Sequence, residues 1–67
     1  MSSIAKFIEI SSESPNSFKE AIEEGIKRIS TTVENVESAW ISEEKIVVKN
    51  GKVVGWRVIM RVAFVVK

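Results

Sequence analysis

Residues 40–64 form two long strand-like runs around a central Asn50-Gly51 pair, with apolar residues on both faces. Both turn residues tolerate positive φ, so the pair predicts a type I′ hairpin between two long strands. A two-residue turn also fixes the register: Lys49 faces Lys52, Val48 faces Val53, and Trp40 faces Arg61 further down the ladder. Side chains alternate across a strand, so the register sorts them by face. Ala39, Ile41 and Val47 fall with Val54, Trp56, Val58, Met60, Val62 and Phe64 on one face. Ser38, Trp40, Ser42, Glu44, Ile46 and Val48 fall with Val53, Arg57, Ile59, Arg61, Ala63 and Val65 on the other. The first set is a core face. The second is too apolar for a sheet face left to solvent.

Upstream, residues 4–10 (IAKFIEI) read as a first strand, and residues 11–16 (SSESPN) as a turn in which Pro15 ends strand pairing. Ser17 opens a helix, and Ser17-Phe18-Lys19-Glu20 fits a capping box. Phe18, Ala21, Ile22, Gly25, Ile26, Ile29 and Val33 recur at helical spacing as one apolar stripe. Gly25 within that stripe suits close approach of helix and sheet. Glu23–Lys27 and Glu24–Arg28 are favourable pairs four apart on the exposed side. Asn35 marks the boundary before the second strand. The predicted fold is α+β: a β-α-β-β subunit whose three-stranded antiparallel sheet, ordered first, third, second, wraps one helix. The helix covers the side of Ile41, Met60, Val62 and Phe64. One helix covers one face, so the other must meet another subunit, a ligand, or both.

Composition sharpens that need. A chain of 67 residues is expected to be one domain, near the lower limit for a self-sufficient core. It has no cysteine to form a disulfide and no histidine to serve as a zinc ligand or neutral-pH base. Oligomerisation is the remaining ordinary route to stability. A net charge of +1 gives no general attraction to nucleic acid or membrane. No apolar stretch approaches the roughly 20 residues of a membrane span. Residues 1–6 lack the features of a signal peptide, so a cytoplasmic location is expected. No nucleophile–base pair, paired catalytic carboxylates or phosphate-cradling loop is present, and an enzyme is not expected.

Phe7-Ile8-Glu9-Ile10, the Ser11–Phe18 turn into the helix, Thr32-Val33-Glu34-Asn35-Val36, Asn50-Gly51-Lys52-Val53-Val54 and the final Arg57-Val58 to Phe64 stretch follow one another in an order and spacing that resembles the dodecin family. The resemblance covers nearly the whole chain. It implies a hollow homododecamer that binds flavin, of the riboflavin or FMN type. In that family a tryptophan at the start of the second strand stacks on the flavin ring, and a glutamine on the third strand bonds its polar edge. Ser38 and Arg57 stand at those positions here. Trp40 projects from the same face as Ser38, one step of about 6.6–6.8 Å along the strand. It can take over as the stacking platform for a flat heterocycle, with Arg57 and Ser38 as polar contacts. It can equally anchor an intersubunit interface as a cation–π partner of Arg61. The alternative to a flavin carrier is a dodecin-like assembly without flavin, its sites empty or holding another ligand. Ions at symmetry axes, near Glu43-Glu44 or Glu34 and Glu37, belong to that alternative.

Overall fold

The computed structural model describes residues 4–66. They form β1 (Ile4–Ser14), α1 (Phe18–Ile29), β2 (Val36–Lys49) and β3 (Lys52–Val66). The strands build one antiparallel sheet in the order β1-β3-β2, the α+β, β-α-β-β arrangement that the sequence predicts. Asn50 and Gly51 both take positive φ, 51° and 76°, as a type I′ turn requires. Asn35, at φ 63°, turns the chain into β2, and its carbonyl accepts from the Val65 amide at 3.1 Å.

Ser17 caps α1 from an extended backbone, its Oγ accepting from the Glu20 amide at 3.0 Å. The reciprocal half of the capping box is replaced. The Glu20 carboxylate accepts instead from Asn16 Nδ2 at 2.8 and 3.0 Å, and the Ser17 amide donates to buried Ser14 Oγ at 3.4 Å. Ser17→Ala should therefore lower stability by about 1 kcal/mol, read as a lower urea midpoint at unchanged slope. An unmoved midpoint would mean that Ser14 and Asn16 cap the helix unaided. At the other end α1 stops at Ile29, and the Thr31 and Thr32 hydroxyls donate to the Arg28 and Ile29 carbonyls. Such local bonds compete with helix continuation, so Val33 lies beyond the helix whose stripe it was expected to extend.

The core forms where α1 rests on β1 and β3. Ala21, Val58, Met60 and Val62 are fully buried there, bordered by Ile8, Ile10, Phe18, Ile22, Ile26 and Ile29. Gly25 has the expected close approach: a Cβ there would sit 2.7 Å from Met60 Cε and 3.1 Å from Ser12 Cβ.

Three expectations are corrected. β1 runs through residues 11–14, pairing with β3 as far as Ser14↔Trp56, because only Pro15 ends the ladder. The hairpin register is not uniform. It shifts between Val47 and Val48 and back between Ile41 and Glu43, so Glu44 pairs Val58, Ile46 pairs Trp56 and Val47 pairs Gly55, and it shifts once more between Val36 and Ser38, so Val36 pairs Phe64. Glu44 and Ile46 therefore lie on the helix-side face and Val47 on the opposite one, the reverse of the uniform ladder. Gly55 beside the first shift offers no side chain to hold regular pairing. Finally, α1 leaves most of β2 uncovered, and only Val36 at its start packs against the core cluster. Ile41 and Ile46 on the helix side of that strand are 40% and 47% exposed. The hairpin projects past the helix, and the Cα radius of gyration is 13.9 Å against about 11 Å for a compact chain of this length.

Candidate functional site

The sheet face turned away from α1 is laid out by the ladder. β3 contributes Arg57, Ile59, Arg61, Ala63 and Val65, the central row. β1 sets Phe7 beside Ala63, Glu9 beside Arg61 and Glu13 beside Arg57. β2 sets Ser38 beside Ala63, Trp40 beside Arg61 and Lys45 beside Arg57. The shifts at Val47/Val48 and Ile41/Glu43 cancel before Ile41, which is why Trp40 keeps its predicted partner.

Phe7 and Trp40 belong to opposite edge strands, yet their ring centroids lie 5.5 Å apart at an interplanar angle of 37°. Ala63, on the strand between them, is only 7% exposed; its small side chain lets the rings meet across β3. The Arg61 guanidinium carbon rests 5.0 Å from the Phe7 centroid and 5.9 Å from that of Trp40, within cation–π range. Phe7 and Trp40 remain 45% and 56% exposed. The result is an open aromatic shelf with a cation lying on it.

Ser38 and Trp40 thus share this shelf. Arg57 does not join them. It lies two same-face steps along β3 from Arg61, about 13 Å, and it is engaged with Glu13. Its Nη2 is 2.7 Å and its Nε 2.8 Å from Glu13 Oε1. Both side chains are about two-fifths exposed, so water screens the pair. A double-mutant cycle of Glu13→Gln and Arg57→Gln should return a coupling of about 0.2–1 kcal/mol, and a value near zero would reduce the contact to a packing coincidence. A depression of about 120 Å³ lined by Ser11, Glu43, Lys45, Arg57 and Ile59 adjoins this pair. A larger cleft of about 510 Å³ opens between β1 and α1, near Glu24 and Arg28, but it offers no aromatic platform.

Phe7 and Glu13 are the site residues that sequence reasoning missed. Glu13 falls in the segment 11–16 that reads as a turn in the sequence, and the β1–β3 register is set by a crossover rather than a tight turn. The signal was the alternation of Phe7, Glu9, Ser11 and Glu13 continuing to Pro15. Among the described residues, no group of three His, Cys, Asp or Glu side chains gathers to hold a metal ion. Nor is any helix among them long and apolar enough to cross a membrane.

Residues 4–67 match the family model for dodecin. Among solved structures, the dodecin from Streptomyces davaonensis superposes with a TM-score of 0.94 at 27% identity, covering 100% of this chain and 98% of that one. A calcium-chelating dodecin from Mycobacterium tuberculosis, which has a calcium-binding site, gives 0.82 at 28% identity, with 96% and 91% covered. The dodecin from Streptomyces coelicolor gives 0.91 at 18% identity, with 97% and 93% covered, a likeness of fold. No curated protein matches the sequence.

Proposed function

The chain belongs to the dodecin family, and from that premise we propose that it assembles into a homo-oligomer, a dodecamer, that binds a flat heterocycle of the riboflavin or FMN type. The observation that carries the reading is the solvent-facing Phe7–Trp40 shelf with Arg61 on it. Trp40 is the stacking platform. Ser38, on the same shelf, is a polar contact at the ring edge, and Arg57 a more distant one with its charge balanced by Glu13. Aromatic stacking suits a flat ring of low net charge, and the remaining apolar rim excludes water from its faces.

Assembly is supported by surface that a 7.5 kDa subunit leaves uncovered. Phe7 and Trp40 are open on one sheet face, Ile41 and Ile46 on the other, and Val48, Val53 and Val54 at the hairpin end. Exposed apolar area on two faces asks for at least two kinds of contact with neighbouring copies. Light scattering should give a mass near twelve copies of the chain; a stable folded monomer at micromolar concentration would overturn assembly. Quenching of riboflavin or FMN fluorescence on addition of the protein tests the ligand.

A second reading is an assembly that holds no flavin and keeps its sites for an ion or another ligand. Two observations favour it: Arg61 already covers the rings, and Glu13 already occupies Arg57. The calcium-chelating relative supports the ionic version, with carboxylates of several copies meeting at an axis. Unquenched flavin together with a full-sized assembly would decide for this reading.

A further inference from the structure

The two arginines of the open sheet face are not equivalent. Arg57 holds a carboxylate through both Nε and Nη2. Arg61 holds none: among the described residues the Arg57–Glu13 contact is the only ion pair within 4.0 Å. Glu9 stands opposite Arg61 in the ladder, but the guanidinium lies over Phe7 and beside Trp40 instead. There it covers the aromatic surface on which a flat ligand would stack. An arriving ring has to displace it, and the cation–π attraction is then lost unless the ligand supplies a new partner for the charge. The best partners for a planar guanidinium are carboxylate and phosphate, whose paired oxygens match its fork.

We propose that Arg61 makes the aromatic shelf selective for flat ligands that carry an anionic group. The ring stacks on Trp40 while Arg61 swings off Phe7 to hold the carboxylate or phosphate. This inference rests on the ligand-binding reading above and adds to it a charge requirement and a residue. Arg57 does not supply the same selectivity, because Glu13 neutralises it about 13 Å away along β3.

Riboflavin and FMN are the probes, since they share one ring and differ by a phosphate. Titrated into the assembled protein at low ionic strength, FMN should bind about tenfold or more tightly than riboflavin, as a charge-assisted hydrogen bond provides. The gap should shrink as salt is added. Arg61→Gln should close it, and Arg61→Lys should retain part of it by keeping the charge without the fork. Should Arg61→Gln fail to assemble, Glu9→Gln remains. Removing that neighbouring carboxylate should widen the gap several-fold. Equal affinity for the two probes in the native protein would overturn the charge requirement and leave the ligand reading standing. A gap that survives Arg61→Gln unchanged would remove Arg61 from it. Binding of neither probe would overturn both.

Discussion

Met60→Ala should cost about 2–5 kcal/mol and leave the isolated subunit largely unfolded. Met60 is fully buried at the centre of β3, between Ile10 on β1 and Ile41 on β2, and its Cε fills the space that Gly25 leaves beneath α1. Truncation removes the one long side chain that reaches from the sheet to the helix backbone at that point. The helix cannot settle into the gap freely, because Ser12 already stands 3.1 Å from the Gly25 Cβ position. A chain of this size has only about 3–10 kcal/mol of total stability, so the loss approaches the whole. Urea denaturation followed by circular dichroism would read it. A loss under about 1 kcal/mol would show that the layer collapses around the alanine. Met60→Leu, close in volume, should cost less than about 1.5 kcal/mol and separates cavity formation from any special need for the thioether.

Trp40→Ala should have the second large effect, and its form distinguishes the two uses of the shelf. As a stacking platform, Trp40 contributes roughly 1–3 kcal/mol per stacked ring. Its loss should then abolish flavin quenching at concentrations where the native protein is saturated, with the oligomer intact. As an interface anchor, truncation should weaken assembly by roughly 2 kcal/mol or more, seen as dissociation on dilution in sedimentation. Trp40 is 56% exposed in the subunit and touches Phe7 and Arg61 of its own chain. The fold of the subunit therefore depends on it little, and its unfolding midpoint at equal oligomeric state should barely move. A variant that keeps both quenching and assembly would remove Trp40 from either role.

Elements with local signals were legible in the chain. The Asn50-Gly51 turn, the Ser17 cap, the helix stripe and Asn35 each depend on a few neighbouring residues whose backbone preferences agree with the final fold. Trp40↔Arg61 agrees with the register that the two-residue turn implies, because the shifts at Val47/Val48 and Ile41/Glu43 cancel before it. Glu44, Ile46 and Val47 were misplaced because a pattern of period two carries no mark of a bulge, and two shifts of opposite sense leave Ser38 to Ile41 opposite their predicted partners.

What the sequence determined by itself is therefore the strand, helix and turn order, the core stripe of α1 and the presence of a second apolar sheet face. All of these follow from residue periodicity and turn chemistry, which act over a few positions. Only the tertiary structure decided which side chains share that face's chemistry. The β1–β3 register, fixed by packing of α1 and Gly25 against Met60 and Ser12 rather than by any turn, brought Phe7 to Trp40 and Glu13 to Arg57. Those contacts join residues more than thirty positions apart, so no local pattern encodes them. They separate one arginine already neutralised by a carboxylate from another held only by two rings.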